Sequence, residues 1–228
     1  MSHPDHARWK QSWRANQIAF HLLHVHPLLI RFWADLGLTA SDRVFVPLCG
    51  KSLDLMWLHE QGHHVVGIEL SPLAVQAFFK ESAHTPRQAR HGALTRWSSE
   101  RLTIYCGDFF RLTARDLQGV RVVYDRASLT ALPEALRASY VAHLVNILPA
   151  GCQVLLLTVE DLDDGESEAD ASLASSEITA LYQARFEIEL MHAGCLPAVI
   201  ENGETIEPPC VHKAYLLNAK PAKDQDAR

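Results

Sequence analysis

The sequence lacks a long apolar run, a paired-cysteine motif and a block of basic residues. No apolar stretch approaches the roughly 20 residues that a transmembrane helix needs, and the polar start, Met1 to Lys10, is unlike a secretory signal. The five cysteines are scattered without a C-x-x-C spacing, which is typical of free thiols in a reducing compartment. We therefore expect a cytoplasmic protein without a membrane-spanning helix.

The charge pattern narrows the class of partner. The net charge is −6, and no cluster of Lys and Arg is present to bind nucleic acid or an anionic membrane surface. A small-molecule partner is the remaining expectation, and we expect the protein to act as a monomer.

Glycine-rich nucleotide motifs are also missing. A nicotinamide dehydrogenase should carry G-x-G-x-x-G, and this spacing does not occur. Lys51 and Ser52 follow Gly50 as in a phosphate loop, but Phe45 and Val46 stand where the first glycine of that loop should fall. These departures disfavour a dehydrogenase and a nucleotide hydrolase.

Apolar runs of strand length alternate with helix-like segments through the middle of the chain. The runs are rich in Val, Leu and Ile, as strands covered on both faces are, and they are Arg43–Leu48, His63–Leu70, Leu102–Cys106, Val120–Tyr124 and Gln153–Val159. The predicted helices are Ser52–Gln61, Pro72–Ser82 and Pro133–Leu148. This alternation predicts an α/β fold with a doubly wound, mostly parallel sheet.

The pattern changes after Val159. An acidic, small-residue stretch over 160–176 precedes a predicted helix that ends at Tyr182. Two further strands, Arg185–His192 and His212–Asn218, are expected to form an antiparallel pair joined by a long turn at Gly194–Pro209. No internal repeat is present, so we expect a single domain with a polar tail over 219–228.

Two residues near the ends of the first two strands are candidates for a ligand site. Ligands of open α/β sheets bind at the carboxyl ends of the strands, and Gly50 in the first strand-to-helix turn would let a ligand approach the backbone. Glu69 ends the second strand, where a carboxylate commonly accepts ribose hydroxyls. Glu69 could equally be a capping or solvated carboxylate beside Ser71.

The third and fourth strands end in further candidates. Asp108 can accept from an exocyclic amine beside the stacking ring of Phe109, although a turn cap and a core ring are equally open readings. Arg126 can hold a carboxylate or orient an electron-rich acceptor. The alternative for Arg126 is a charge pair with Asp125, which strand neighbours do not readily form because they face opposite sides.

Histidine and cysteine chemistry is not favoured. His21, His24 and His26 lie close together but lack the spacing of a metal motif, so no metal is expected. Cys49 could contact a ligand, but no base partner accompanies it, so a nucleophilic role is a minor hypothesis.

A string of motifs resembles one known family. The chain resembles the bacterial thiopurine S-methyltransferases over most of 9–159, in W-x-x-x-W from Trp9 and in the segments IAFH, RVFVPLCGKSLDLMWL, GHHVVGIELS, IYCGDFF and YDRASLTALP. The resemblance implies a seven-stranded class I methyltransferase fold, which is Rossmann-like, with its last strand antiparallel and an N-terminal helical cover. It also implies S-adenosylmethionine as the only cofactor.

The resemblance assigns parts and residues. It implies a cover over 1–40, a cofactor-binding core over 41–160 and a variable acceptor-side region with the final strands over 161–218. The implied cofactor contacts are Trp9, Trp13, Leu48, Gly50, Glu69, Asp108, Phe109 and Arg126. Phe20 matches the aromatic residue over the acceptor, and Arg126 would serve either ligand and the catalytic role.

One departure from the family concerns the acceptor. The family has a GPPF-type segment after Thr158, and this chain has DGESEADAS over 164–172 instead. The expected reaction is methyl transfer to a small soft nucleophile, a thiol or thiopurine sulfur or a selenium or tellurium species. The alternative is a binding-only sensor that keeps the cofactor site without transferring methyl groups.

Overall fold

The chain divides into two compact units. In the computed structural model the described residues are 4–18, 20–161, 175–196, 199–201, 204–206 and 210–221. The first unit comprises Met1–Tyr124 and Asn146–Pro149, and the second comprises Asp125–Val145 and Ala150–Arg228. The expectation of a single domain stays a prediction. Within the described residues, no helix has the length and apolar character to cross a membrane.

Six strands pair in the first unit, in the order β3-β4-β5-β2-β1-β6. The four central neighbours β5, β2, β1 and β6 are parallel, and β3 and β4 are added antiparallel at one edge. Their bounds are β1 Arg43–Val46, β2 His64–Glu69, β3 Arg87–His91, β4 Leu94–Ser99, β5 Leu102–Cys106 and β6 Val120–Arg126. β1 and β2 are buried along almost their whole length. This burial confirms the prediction, made from continuous apolar runs, that these strands are covered on both faces.

The α-helices of the first unit are α1 Pro4–Arg14, α2 Pro27–Phe32, α3 Leu53–Glu60 and α4 Pro72–Glu81. The last three begin directly after a polar capping residue. Ser52 accepts from the Asp54 N–H at 3.2 Å, and Ser71 accepts from the Ala74 N–H at 3.4 Å. Each cap fixes the direction in which its helix leaves the preceding turn.

The hairpin β3–β4 was not predicted. All of β3 except His91 is exposed, and its sequence RQARH carries no apolar alternation to mark a strand. The turn at Gly92 adopts a positive φ of 60°, which glycine tolerates without strain. A solvent-facing edge strand leaves no hydrophobic pattern, so sequence reasoning had little to detect.

The second unit is built around three antiparallel strands in the order β7-β11-β8. Their bounds are β7 Gln153–Asp161, β8 Phe186–Gly194 and β11 Cys210–Ala219, with α5 Ser128–Ala131, α6 Glu134–Ile147 and α7 Ser176–Tyr182. The expected antiparallel pairing of the last two predicted strands is therefore confirmed. The long turn between them contains a small hairpin of β9 Val199–Glu201 and β10 Glu204–Ile206.

The strand count corrects one expectation. Within the described residues, the six strands of the first unit and the three strands of the second make nine, whereas seven strands were predicted. The hairpin β9–β10 is separate from these nine. The two additional strands form the hairpin β3–β4. The predicted positions of the other seven strands are confirmed within a few residues.

Candidate active site

Glu69 holds together the turns that follow the first two strands. Its Oε2 accepts from the Gly50 N–H at 2.9 Å, and its Oε1 accepts from the Ser71 N–H at 2.6 Å. The side chain is buried, and this burial raises the pKa of Glu69 to about 6, although the N–H groups of Ser71, Gly50 and Leu70 oppose the rise. The contact with Ser71 was foreseen as the alternative reading, but the carboxylate is not solvated.

The turn from Val46 to Ser52 has an unusual backbone. Leu48 adopts a φ of 43° and Gly50 a φ of 54°, both in the left-handed region. A side chain is rarely found there, and Leu48 is held partly because the Cys49 N–H donates to the Ile68 carbonyl at 2.9 Å. Such strain is characteristic of ligand-binding turns, since surrounding contacts must maintain it.

Gly50 lies directly under an aromatic ring of α1. A Cβ atom at Gly50 would stand 3.3 Å from Trp13 Cζ2, so any larger residue would push against the indole. The structure thus brings together Trp13, Gly50 and Glu69, three residues that the family resemblance assigns to one site. They form a narrow cradle with a backbone surface, an aromatic wall and a buried carboxylate.

The aromatic residues of the N-terminal segment form one cluster. Phe20 packs edge-on against Trp9 at 5.4 Å and against Trp13 at 5.7 Å between ring centroids. Trp9 Nε1 donates to Asp5 Oδ2 at 3.0 Å, which fixes the indole on α1. Phe20 is still 42% exposed, so one face of this cluster is open to a further apolar group.

Asp108 and Phe109 have structural partners of their own. Asp108 caps the short turn after β5 by accepting from the Phe110 N–H at 3.0 Å, and Phe109 is buried. His6 Nε2 of α1 lies 3.9 Å from Asp108 Oδ1. The cap and the core ring are thus present, and contact with an adenine ring remains a prediction.

The thiol of Cys49 packs against the second strand. Its side chain is buried, and its Sγ would lie only 2.8 Å from a Cβ atom added at Gly67. Burial, followed by the charge of Glu69, raises the pKa of Cys49 well above its ordinary value. Cys49 therefore stays a neutral thiol near neutral pH, which disfavours the nucleophilic role.

Arg126 and Asp125 belong to the second unit. Asp125 is fully buried, accepts from the Tyr140 hydroxyl at 2.6 Å and accepts from the Ser128 N–H at 3.2 Å. Burial raises the pKa of Asp125, and these hydrogen bonds partly offset the rise. Arg126 lies close enough to His212 to help lower the pKa of that imidazole, after the larger effects of burial and His192.

The histidine cluster has a structural explanation. His26 is buried, and its imidazole Nδ1 caps α2 by accepting from the Leu28 N–H at 3.3 Å. The backbone N–H of His26 donates to Asp54 Oδ1 at 2.8 Å. His24 is exposed, and His21 is half-buried. Sequence reasoning missed the Asp54 carboxylate, which also accepts from the Tyr124 hydroxyl at 2.8 Å, because a buried acid within a helix has no spacing signature.

Comparison with known proteins shows the family to which the chain belongs. A sequence model described as thiopurine S-methyltransferase matches residues 4–216. The chain belongs to the thiopurine S-methyltransferase family. The thiopurine S-methyltransferase of Stutzerimonas stutzeri is 47% identical over 96% of this chain and 93% of its own. That of Pseudomonas fluorescens strain SBW25 is 43% identical over 81% of this chain and 85% of its own.

Solved structures share the fold of this family member. A methyltransferase from Anabaena variabilis, described as SAM-dependent, superposes with a TM-score of 0.67 at 13% identity over 96% of both chains. A Burkholderia thailandensis 1,6-didemethyltoxoflavin-N1-methyltransferase, determined with bound 1,6-didemethyltoxoflavin and S-adenosylhomocysteine, has a TM-score of 0.63 at 15% identity, covering 97% of this chain and 92% of its own. The expected class I methyltransferase fold is confirmed.

The chain, as a member of this family, is therefore an S-adenosylmethionine-dependent methyltransferase. The residues of the first unit fit this cofactor in kind. Gly50 offers backbone where a side chain would collide with Trp13, and Glu69 keeps lone pairs on both oxygens, since a carboxylate has about four acceptor positions.

Proposed function

We propose that this methyltransferase transfers methyl groups to a small, soft nucleophile, namely a thiol or thiopurine sulfur or, as the alternative, a selenium or tellurium species. The observation that carries the proposal is the family match over 4–216, which extends across both units. We further propose that the protein works in the cytoplasm as a monomer and as one methyltransferase domain.

The proposed cofactor contacts of the first unit are those assigned by the family resemblance. Glu69 accepts ribose hydroxyls, Leu48 and Gly50 supply backbone, and Trp9 and Trp13 cover the cofactor. Asp108 and Phe109 stand near the adenine ring. This proposal is supported by the burial of Glu69 beside Gly50 and by the contact of Trp13 with the same glycine.

Arg126 and Phe20 are the proposed acceptor-side residues. When bound, S-adenosylmethionine supplies an activated methyl group on a positively charged sulfur. Arg126 would hold the acceptor in its deprotonated, more nucleophilic form, because a nearby cation lowers an acid's pKa. Phe20, with its exposed face, would exclude water around the acceptor, and good alignment in a dry site lowers a barrier by roughly 7 to 11 kcal/mol.

A methyl-transfer screen tests the proposed acceptor class. Purified protein with radiolabelled S-adenosylmethionine should label thiopurines or small aromatic thiols, and an Arg126→Lys variant should turn over more slowly because lysine lacks the planar fork. Chalcogen oxyanions and their reduced forms complete the panel. Cofactor binding with no transfer to any of these acceptors would contradict the proposal and favour the binding-only sensor.

Acceptor charge should matter within this screen. The acidic segment over 164–172 lies outside the described residues, and we expect it to disfavour carboxylated aromatic thiols because like charges repel at close range. Neutral thiols should therefore give the higher kcat/KM, and neutralising Glu166, Glu168 and Asp170 together should narrow the gap. Equal turnover of both acceptor types, unchanged in the triple variant, would remove the segment from the pocket.

The N-terminal helix should respond to the cofactor. Trp9 and Trp13 belong to α1, and we expect their fluorescence to change when S-adenosylmethionine binds. Amide exchange over Pro4–Arg14 should slow at the same time, because a cover that excludes water becomes ordered on closure. Exchange in the hairpin β3–β4, which includes the exposed edge strand β3, provides the internal control. Equal protection of α1 with and without cofactor would make it a fixed structural layer.

A further inference from the structure

Three side chains of the first unit converge although they are far apart in sequence. His59 lies in the last turn of α3, His84 follows α4, and Glu100 occupies the turn between β4 and β5. One possible ligand atom from each lies within 4.8 Å of the other two. His59 Nε2 stands 3.8 Å from Glu100 Oε2, and the two imidazole rings meet edge-on at 5.4 Å between centroids.

Each imidazole presents a nitrogen that can ligate a metal. His59 Nε2 is buried and has no hydrogen-bond partner within the part of the chain that the structure describes. His84 Nδ1 lies 2.9 Å from the Ser82 carbonyl, which can only accept, so Nδ1 carries the proton and Nε2 keeps a lone pair.

The donor set selects the kind of metal. Two imidazole nitrogens and one carboxylate oxygen suit Zn²⁺, which binds these atoms at about 2.0 to 2.2 Å in tetrahedral geometry. The three atoms would have to move closer together, and the Glu100 side chain is free to do so because it is 72% exposed. Hard cations such as Mg²⁺ and Ca²⁺ prefer oxygen ligands and fit this set poorly.

We propose that His59, His84 and Glu100 form a Zn²⁺ site, with water completing the coordination. The site lies at the far end of α3 from Gly50, since this helix begins at Leu53 and its eight residues span about 12 Å. Zinc bound there would tie the end of α3 to the loop after α4 and to the β4–β5 turn. Its role is to stabilise the first unit, at a place separate from the methyl-transfer residues.

Calorimetric titration of the chelator-treated, full-length protein with ZnCl₂ tests the proposal. We expect one zinc ion per chain and a rise in the melting temperature, because a ligand that binds the folded state stabilises it. His84→Asn and Glu100→Gln should each weaken this binding at least about 10-fold, since even outer partners of metal ligands contribute about 10- to 100-fold. Both residues are at the surface or half-buried, so these variants should fold.

Matched variants separate this site from other histidines. His64→Asn changes an exposed histidine at the start of β2, and His24→Asn changes the exposed histidine between His21 and His26. Both variants should retain full zinc affinity and the rise in melting temperature. MgCl₂ should produce neither effect. Zinc binding that survives in the His84 and Glu100 variants, or that is lost in the His24 or His64 variant, would overturn the assignment. An unchanged wild-type melting temperature with zinc would also overturn it.

Discussion

Replacing Glu69 by alanine is expected to weaken S-adenosylmethionine binding by about 1.5 to 3 kcal/mol, roughly a 10- to 150-fold rise in Kd. This is the range for hydrogen bonds to a charged group, and a buried carboxylate makes such bonds without competition from water. The variant also loses the acceptor for the Gly50 and Ser71 N–H groups, so the cradle itself should loosen. Isothermal titration calorimetry measures the affinity directly.

The control for this variant is Glu60→Ala, which removes an exposed carboxylate at the end of α3. It should leave the Kd for S-adenosylmethionine unchanged. Circular dichroism should establish that the Glu69 variant is folded before its affinity is interpreted. A folded Glu69→Ala protein that binds the cofactor as tightly as the wild type would remove this residue from the site.

The raised pKa of Glu69 adds an independent readout of the same contact. In the proposed contact, ribose hydroxyls would donate to the ionised carboxylate, so Kd should rise as pH falls below about 6, approaching tenfold per pH unit. Between about pH 4.5 and pH 6, the Glu69 carboxyl of the free protein is protonated in the native state and ionised in the unfolded state. The free energy of unfolding should therefore fall by about 2 kcal/mol as pH rises through this window. Glu69→Gln should remove both contributions.

The parallel part of the fold could be predicted because its physical signal is strong. Strands buried on both faces must be apolar throughout, and β1, β2 and β5 were found within two residues of their observed ends. Ser71 and Pro72 marked the start of α4 for an equally direct reason. Exposed β3 carries no such constraint, so its five residues resembled a loop.

The sequence could predict that the turns of Gly50 and Glu69 lie close together, whereas it could not predict the side chains that pack around them. Gly50 and Glu69 occupy fixed positions relative to strand ends, and topology brings such ends together. The contact of Trp13 with Gly50 depends on where α1 packs, and no spacing rule specifies that. The convergence of His59, His84 and Glu100 depends on three separate turns, so no spacing in the sequence indicates it.

The buried network around Asp125 was missed for a similar reason. The sequence placed Asp125 at a strand end with Arg126, but its main partner, Tyr140, comes from the middle of α6. Both side chains are completely buried. The Asp125 carboxyl is therefore held inside the second unit by hydrogen bonds from Tyr140 and Ser128. Asp125 immediately precedes the proposed acceptor-binding residue Arg126.

Asp125→Ala should consequently lower the free energy of unfolding by about 2 to 6 kcal/mol, since the Tyr140 hydroxyl and the Ser128 N–H both lose a buried acceptor and each such loss costs about 1 to 3 kcal/mol. Tyr140→Phe should cost less, about 1 to 3 kcal/mol, because the Ser128 N–H keeps its acceptor. The two losses should not add in the double variant, and a coupling of about 0.5 to 3 kcal/mol is expected between side chains in direct contact.

Urea denaturation followed by circular dichroism measures these differences, with Glu187→Ala on the exposed face of β8 as the control that should change stability by less than about 0.5 kcal/mol. Asp125→Asn provides the most discriminating comparison, because its amide oxygen can accept from the Ser128 N–H while its NH₂ group donates to the Tyr140 hydroxyl oxygen, and no charge is buried. Since burial raises the pKa of Asp125, the charge itself is a liability, and the asparagine variant should recover most of the loss. Asparagine and alanine variants of equal stability would show that the hydrogen bonds to Tyr140 and Ser128 do not stabilise the second unit.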